Sequence, residues 1–330
     1  MKINNLKTSF LTDKGMLTAV DNVSLCVNPG EVIGIVGESG CGKSVTASSI
    51  MRLFDEDSGT KVEGEIEFNN VDLLKIPEKD MEKIRGSEIS MIFQDPMTSL
   101  NPVFKIGHQI MEAIMIHQKV KKKSAHEIAI EMLKKVGISD PDRRFNEYPH
   151  QMSGGMLQRI IIAMALSCKP KLLIADEPTT ALDVTIQAQI LDLMKELNEE
   201  LKMGIILITH DLGVVAQICD KVNVMYLGQI VEELEVKDLF DNPKHPYTMG
   251  LLKSIPSLEG DRLKKLHVIE GNVPGLENIT KGCRFSNRCD FATELCYNKL
   301  PDLELINKNH KIRCWNYQEI EQGISVNKGG

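Results

Sequence analysis

Long apolar segments are missing from this sequence. None of its apolar runs approaches the roughly 18–20 residues that a helix needs to cross a bilayer. The first residues, Met1 to Asn5, do not lead into the apolar stretch of a secretory signal. We also find no internal repeat and no low-complexity segment. These absences predict a cytoplasmic protein without a transmembrane segment, so that any channel it serves must be formed by other chains.

Positive charge and aromatic side chains are scarce. Lys and Arg number 39 against 46 Asp and Glu, the formal net charge is −7, and aromatic residues make up 5% of the chain. Surfaces that bind nucleic acids are usually basic, and those for single strands carry aromatic rings on which bases stack. The composition therefore argues against DNA or RNA as a partner.

The remaining pattern is that of an α/β protein. A chain of 330 residues has room for one large domain and an appendage. Residues 161–240 alternate between strand and helix, which is typical of a parallel sheet. Residues 95–160 instead carry amphipathic helical patterns, namely Ile106 to His117 and His126 to Val136.

One eight-residue segment fits the phosphate-binding pattern G-x-x-x-x-G-K-[ST] at every position. It consists of Gly37, Glu38, Ser39, Gly40, Cys41, Gly42, Lys43 and Ser44. The apolar run from Val32 to Val36 predicts a strand that enters this loop, and Ser44 to Leu53 predict a helix that leaves it. Glycines allow successive N–H groups to point at phosphate oxygens, and the helix start adds partial positive charge. Lys43 would reach the β- and γ-phosphates, and Ser44 would help to hold Mg²⁺.

Two alternatives to this interpretation are weaker. A chance glycine-rich turn does not explain why strand, loop, helix and the final Lys-Ser occur together. A dinucleotide fingerprint would need a third small residue where Val45 stands, after Gly40 and Gly42. The segment therefore predicts that the chain binds a nucleoside triphosphate.

A second candidate anion site begins at Ser153. Ser153, Gly154 and Gly155 shortly precede an apolar run, Ile160 to Leu166, that predicts the start of a buried helix. A Ser and two Gly at a helix start present a hydroxyl and bare backbone N–H groups to an anion. Such a tripeptide is more often a simple turn. Its position just ahead of a buried strand with an acidic end is what makes it informative.

Two adjacent carboxylates end that strand. Leu172 to Ala175 is apolar and is followed by Asp176 and Glu177. Asp176 would fix Mg²⁺ through its water shell, while Glu177, pointing the other way in a strand of period two, would polarise the attacking water. A solvated acidic strand end is the alternative. The next apolar run, Gly204 to Thr209, ends in His210, at the edge of the sheet where α/β proteins place their sites.

Together these motifs resemble those of the nucleotide-binding subunits of ATP-binding cassette (ABC) transporters. The resemblance covers roughly residues 1–255 and implies a P-loop NTPase fold with a RecA-like core, an antiparallel β subdomain and a helical subdomain at about residues 95–160. It implies ATP and Mg²⁺ as cofactors. The residues that it assigns to the chain's own ATP are Phe10 (adenine stacking), Gly37 to Ser44 with Val45 (Walker A), Gln94 (Q-loop, Mg²⁺), Asp176 (Walker B, Mg²⁺), Glu177 (catalytic glutamate) and His210 (switch histidine). Those that it assigns to signature and D-loop are Ser153, Gly154, Gly155 and Asp183.

A closer resemblance is to the ATPases of oligopeptide and dipeptide importers. It rests on residues 37–40, 93–102, 153–159 and the Pro-rich stretch 242–248. The implied function is to power uptake of di- or oligopeptides. A nickel importer shares much of this pattern and remains an alternative. A cytosolic ABC ATPase linked to nucleic acid is a weaker one, because neither a coiled-coil insertion nor a second cassette is present.

The same resemblance implies a set of partners. A second homologous ATPase would bind head to tail, so that the signature of each chain closes the ATP site of the other. Two transmembrane permease subunits and an extracytoplasmic peptide-binding protein would complete the importer. The chain itself would lie on the cytoplasmic face of the membrane.

Residues 256–330 carry a different signal, a group of four cysteines. Cys283, Cys289, Cys296 and Cys314 are half of the eight cysteines in the chain. So short a region builds little core and commonly needs a staple, and disulfides are disfavoured in a reducing cytosol. Four thiolates suit Zn²⁺ or an iron–sulfur cluster, and their spacing does not choose between these or free thiols. The importer resemblance implies a [4Fe-4S] cluster, which we expect to be structural.

Overall fold

The computed structural model describes residues 1–55, 59–95, 99–180, 182–255 and 268–322. The chain divides into two compact units. The first unit comprises Met1, Cys26–Val32 and Glu67–Thr209, and the second comprises Lys2–Leu25, Ile33–Ile66 and His210–Gly330. In the described ranges we find no helix that is both long and apolar enough to cross a membrane.

The regular elements follow one another as strands and helices along the whole described chain. The strands are β1 (Lys2–Thr12), β2 (Gly15–Cys26), β3 (Val32–Val36), β4 (Thr60–Phe68), β5 (Val71–Asp72), β6 (Ile89–Ile92), β7 (Leu172–Asp176), β8 (Gly204–Thr209), β9 (Lys221–Tyr226), β10 (Gln229–Glu235), β11 (Glu304–Asn307) and β12 (His310–Ile312). The α-helices are α1 (Lys43–Ile50), α2 (Glu78–Ile84), α3 (Ile106–Gln118), α4 (Lys122–Lys135), α5 (Pro141–Phe145), α6 (Gly154–Leu166), α7 (Val184–Leu201), α8 (Leu212–Ile218), α9 (Val236–Asp241), α10 (Pro246–Lys253), α11 (Glu294–Asn298) and α12 (Tyr317–Glu321). Short 3-10 turns are Pro149–Gln151, Leu276–Asn278 and Ser286–Arg288.

The first unit is built on three parallel strands in the order β8-β7-β6. Every residue of β7 and of β8 is buried. Continuous apolar strands of this kind are expected where both faces of a parallel sheet are covered. Their carboxyl ends lie at one edge, with Asp176 in register with Ile208. The sequence predicted both strands.

Helices α3, α4 and α6 pack together in the same unit. Ile106, Ile110 and Ile114 of α3 are fully buried, which is the spacing of one helical face. Helix α4 begins one turn before the predicted residue His126. Its first turn starts with lysines and lacks apolar residues at helical spacing. The hydrophobic pattern of the sequence therefore does not show that the helix begins there.

The second unit contains the sheet order β3-β9-β10-β12-β11. Strands β3 and β9 are parallel, and Ile33 pairs with Lys221. Strand β12 pairs antiparallel with β10, with Glu232 opposite Ile312. The C-terminal region therefore extends the sheet of this unit by two strands, which the sequence did not predict. The same unit holds β2, β1 and β4 as neighbours in another sheet.

The core of the second unit combines residues from distant parts of the chain. Phe285 of the cysteine region packs edge-on against Tyr226 of β9, with ring centroids 5.2 Å apart. Its ring lies 5.3 Å from that of Tyr247 in α10. All three side chains are buried together with apolar residues of β9 and β10. The cysteine region thus shares one core with these strands.

A buried carboxylate anchors the start of α10. Glu232 is 0% exposed and accepts hydrogen bonds from the backbone N–H groups of Lys244 and His245 at 2.7 and 3.2 Å. It also pairs with the ring of His310 at 2.7 Å. Burial alone would raise the pKa of Glu232, but the hydrogen bonds that its carboxylate accepts outweigh burial and lower it.

His245 caps α10 in its neutral form. Its Nδ1 accepts a hydrogen bond from the backbone N–H of Tyr247 at 3.1 Å, which a protonated Nδ1 could not do. Burial lowers the pKa of His245 from 6.5 to about 4, against the raising effects of the Glu232 charge and the backbone of Arg313.

We expect the thermal unfolding temperature to decrease as the pH falls from about 6.5 to 4. The unfolded chain takes up this proton first, so stability is complete above pH 6.5 and is lost progressively down to the folded pKa of about 4. The loss from this residue is on the order of 3 kcal/mol. Circular dichroism melts between pH 7.5 and 4.5 measure it.

His245→Asn keeps a side chain that caps helices, but one that does not titrate in this range. The variant should melt lower than wild type at pH 7.5, and its unfolding temperature should depend less on pH. His150→Asn, at an exposed position, serves as control and should keep the wild-type dependence. An unchanged pH dependence in His245→Asn would contradict the assignment.

Candidate nucleotide site and cysteine site

The predicted phosphate loop joins a fully buried strand to a helix. Strand β3 has the predicted bounds, and α1 begins at Lys43. The helix ends at Ile50, earlier than the predicted Leu53. Arg52 there has a left-handed φ of 49°, which a continuing α-helix does not permit.

Glycine is required twice in this loop for steric reasons. Gly42 has a φ of 102°, and a Cβ at this position would lie 2.5 Å from the carbonyl oxygen of Ala19. A Cβ on Gly37 would lie 2.1 Å from the carbonyl oxygen of Met225. The loop backbone is therefore packed tightly against β2 and β9, and only glycine fits at these two positions.

The lysine of the loop is buried and bonded to the loop itself. Lys43 is 5% exposed, and its Nζ donates to the carbonyl oxygens of Gly37 at 2.8 Å and Glu38 at 3.1 Å. Its ammonium group thus lies within the curve of the loop, where phosphates would bind. Ser39, Gly40 and Ser44 are exposed, Cys41 is buried and Val45 is partly buried.

Phe10 lies near the end of β1, where its partly buried ring contacts Phe54 edge-on at 5.2 Å. Its stacking on adenine stays a prediction.

Glu177 lies directly after β7 and outside the strand. Its φ of 47° is left-handed, so the alternation of a period-two strand does not set its direction, and that part of the sequence argument is wrong. Its Oε2 accepts hydrogen bonds from Gln94 Nε2 at 3.0 Å and from Thr180 Oγ1 at 2.9 Å. Two donors fix this carboxylate, and Asp176 beside it is 4% exposed at the strand end.

His210 directly follows β8 and is exposed. The next residue, Asp211, caps α8 by accepting the N–H of Gly213 at 2.8 Å. The histidine therefore follows the end of a buried strand, as the sequence predicted.

Ser153 caps α6, which starts at Gly154, six residues before the predicted apolar run. Its Oγ accepts the N–H of Met156 at 3.4 Å. A cavity of about 400 Å³ is lined by Ser153, Gly154, Gly155 and Asp183. Asp183 in turn caps α7 through the N–H of Ile186 at 3.0 Å. The structure thus brings the predicted signature and D-loop residues together around one open cavity of the first unit.

The four cysteines of the C-terminal region line one cavity. Its wall consists of Cys283, Cys289, Cys296 and Cys314 with Phe285, Phe291, Trp315, Asn316, His245, Pro246, Ser286 and Ile320. Asn316 Nδ2 lies 3.6 Å from the Sγ of Cys296. Burial raises the pKa of Cys283 to about 11 and those of Cys289 and Cys314 to about 12.

The described side chains do not form a site for a single metal ion. Among the described residues, no group of three or more His, Cys, Asp or Glu side chains is arranged to hold a metal ion. A zinc site would need such a group, with Zn–S distances of about 2.3 Å. Some predicted motif residues, Pro96, Met97, Thr98 and Ala181, lie outside the described residues.

Sequence reasoning missed three residues around the loop and the carboxylate. Thr180 bonds Glu177, while Tyr247 and Arg288 bond Glu38. Thr180 could have been found from its place three residues after Glu177. Arg288 could not, because no local pattern pairs residues 250 positions apart.

Comparisons with known proteins agree with these motifs. A family model described as "ABC transporter" matches residues 20–180, and one described as "Oligopeptide/dipeptide transporter, C-terminal region" matches residues 231–296. The chain is 53% identical over 331 residues to a putative peptide import ATP-binding protein of Brucella melitensis biotype 1, covering 97% of this chain and 98% of that one. It is 51% identical over 319 residues to the oligopeptide transport ATP-binding protein AppD of Bacillus subtilis, covering 97% of each.

A solved structure shares the fold of the cassette. The ATP-binding cassette MJ0796, in a dimeric post-hydrolysis state with ADP and Pi, matches with a TM-score of 0.64 and 28% identity, over 71% of this chain and 98% of that chain. The chain therefore belongs to the family of ATP-binding subunits of oligopeptide/dipeptide ABC transporters. As an ABC ATPase, it couples ATP hydrolysis to transport.

Proposed function

We propose that this chain is one of two ATPase subunits that power the uptake of di- or oligopeptides, and that Glu177 is the general base of hydrolysis. The observation that carries the catalytic assignment is the Glu177 carboxylate, fixed by Gln94 and Thr180 directly after a buried strand. The cargo assignment is supported by relatives named for oligopeptide and dipeptide transport, each about half identical over nearly the whole chain.

The nucleotide would bind on the loop from Gly37 to Ser44. When phosphates arrive, the ammonium group of Lys43 would exchange the carbonyl oxygens of Gly37 and Glu38 for phosphate oxygens. The N-terminus of α1 adds its partial positive charge. Mg²⁺, when bound, would neutralise phosphate charge, and Ser44, Gln94 and Asp176 are its proposed ligands or water-shell contacts.

Glu177 would accept the proton of the attacking water. The hydrogen bonds that this carboxylate accepts from Gln94 and Thr180 would hold it in position for this task. Gln94, bonded to that carboxylate, would change partner when the γ-phosphate is bound and so transmit ATP occupancy. His210 would steady the γ-phosphate.

A second, homologous cassette would complete each ATP site. The dimeric structure of MJ0796 with ADP and Pi supports this arrangement. The cavity lined by Ser153, Gly154, Gly155 and Asp183 is open and lies at the N-terminus of a 13-residue helix. Such a position suits an anion that a partner delivers. We propose that it closes over the partner's nucleotide in a head-to-tail dimer.

Membrane partners would dock near the Q-loop. Phe93, Val103 and Phe104 are large apolar side chains that remain exposed close to Gln94 in the sequence. Exposed apolar groups in one region often mark an interaction surface. We propose that two permease subunits cover this region, which would hold the chain on the cytoplasmic face of the membrane, with an extracytoplasmic peptide-binding protein in the same complex.

We further propose that residues 256–330 form a C-terminal domain, joined to a cassette of residues 1–255, whose four cysteines hold a [4Fe-4S] cluster. The shared cavity of Cys283, Cys289, Cys296 and Cys314 supports this. Such clusters are held by four cysteine thiolates, and the four cysteines of this region line one cavity. The amide of Asn316 would donate to the sulfur of Cys296.

Affinity capture from native membranes tests the transport assignment. The bait is the full chain carrying Glu177→Gln, in detergent with ATP and Mg²⁺, and the wild-type chain with ADP is the control. Recovery of two multi-span membrane proteins and a second cassette supports an importer, and the associated binding protein identifies peptide or nickel as cargo. Recovery of ribosomes or DNA-repair factors would leave the ATPase chemistry intact and overturn the transport role.

A further inference from the structure

Glu38, the second residue of the phosphate loop, uses all its polar groups within the protein. Its backbone N–H donates to the Tyr247 hydroxyl at 2.9 Å. Its carbonyl oxygen accepts from Lys43 Nζ at 3.1 Å. Its carboxylate accepts a two-pronged interaction from Arg288, with Nη1–Oε2 at 2.7 Å and Nη2–Oε1 at 3.1 Å. One residue therefore joins the loop lysine to α10 and to the cysteine region.

Arg288 is held rigidly for this contact. Its side chain is only 5% exposed. Its Nε and Nη2 also donate to the carbonyl oxygens of Glu270 at 3.0 Å and Ile269 at 3.2 Å, respectively. The guanidinium also lies 5.9 Å from the centroid of the Tyr226 ring. Because these contacts already hold the guanidinium in place, Arg288 loses little side-chain entropy when it binds the Glu38 carboxylate.

A second arginine of the same segment reaches the other end of the phosphate loop. Arg284 donates to the carbonyl oxygen of Leu227 and to the carboxylate of Asp21. The neighbouring residue Gly228 donates its N–H to the carbonyl oxygen of Cys41 at 2.8 Å. Both arginines lie between Cys283 and Cys289, so this short segment contacts the loop directly at one end and through a turn at the other.

We propose that the segment from Cys283 to Cys289 positions the phosphate loop, and that Arg288 tunes ATP affinity by neutralising Glu38. A carboxylate beside bound phosphates repels them, and like-charge contacts of this kind are costly. Arg288 counters that repulsion, because its guanidinium binds both carboxylate oxygens of Glu38. Arg288 is thus a positioning residue, since it acts through Glu38 and not on the nucleotide. The inference rests on the proposed binding of ATP to this loop.

The test measures the dissociation constant of a non-hydrolysable ATP analogue with Mg²⁺ by calorimetry, using the full-length chain. We expect Arg288→Ala to weaken binding about 10-fold, which corresponds to about 1.4 kcal/mol. Adding Glu38→Gln to this variant removes the unpaired negative charge and should restore affinity to within about 2-fold of wild type. In assays with the partner cassette, Arg288→Ala should raise KM for ATP and leave kcat nearly unchanged.

Lys311→Gln is the matched control. It removes another cation of the C-terminal region, paired with Glu233 at 2.9 Å across β12 and β10, and should leave ATP affinity unchanged. If Arg288→Ala does not fold, Arg288→Lys keeps the positive charge but cannot make the two parallel hydrogen bonds of the guanidinium. It should weaken binding by a smaller factor.

A folded Arg288 variant with wild-type affinity would overturn the proposal. So would weakened binding that Glu38→Gln does not rescue. A wild-type chain that fails to bind the analogue would instead contradict the proposed ATP site.

Discussion

Glu177→Gln should lower the rate of ATP hydrolysis by roughly 100- to 10,000-fold, the range for loss of a general base. The amide retains an oxygen that can accept the hydrogen bonds of Gln94 and Thr180, so the local structure is preserved. It cannot take a proton from water. ATP binding should therefore remain, and the closed dimer with its partner should accumulate because hydrolysis no longer reopens it.

Two measurements on the reconstituted pair of cassettes check this result. Phosphate release gives the rate of hydrolysis, and size-exclusion chromatography with ATP and Mg²⁺ gives the population of the dimer. Glu199→Gln is the matched control, because it makes the same chemical change at an exposed position of α7. It should hydrolyse ATP at the wild-type rate. Normal turnover by Glu177→Gln would remove Glu177 from the role of base.

Cys314→Ser should abolish iron and sulfide binding and destabilise the C-terminal region. If the four cysteines hold a cluster, loss of one ligand breaks the cross-link among the segments that carry them. The expected loss of stability is roughly 2–5 kcal/mol, as for removal of a native disulfide from a small domain. Iron and sulfide are quantified on anaerobically purified protein, and thermal melts report stability.

Cys26→Ser is the control for this experiment, because Cys26 is exposed in β2 and outside the cysteine cavity. It should retain full iron and sulfide content. Stoichiometric zinc without sulfide in the wild-type protein would reject the cluster in favour of a zinc site. Wild-type protein with neither metal would leave the four cysteines as free thiols and reject both.

Local sequence patterns predicted the elements that carry the motifs. Strand β3 has the predicted bounds, and the apolar runs of β7 and β8 were recognised because strands buried on both faces are apolar throughout. The errors lie at element ends. The positive φ of Glu177 terminates β7, and the N-terminal turn of α6 contains glycines that carry no apolar period.

The organisation of the C-terminal region was beyond the reach of those patterns. Strands β11 and β12 are short, and they are strands only because β12 pairs with β10 and β11 pairs with β12. The four cysteines stand out in the sequence, but no local pattern indicates that they share a cavity with His245 and Pro246. Such contacts join segments far apart in the sequence, and no periodicity records them.

The sequence by itself determined the phosphate loop, the acidic strand end and the family, because each depends on residue types at fixed local spacing. Only the tertiary structure determined which distant side chains contact these motifs. Gln94 is placed on Glu177 across 83 residues, and Arg288 on Glu38 across 250. Side-chain hydrogen bonds of this kind depend on where the folded backbone brings two side chains. That placement follows from packing of the whole core, which local spacing does not encode.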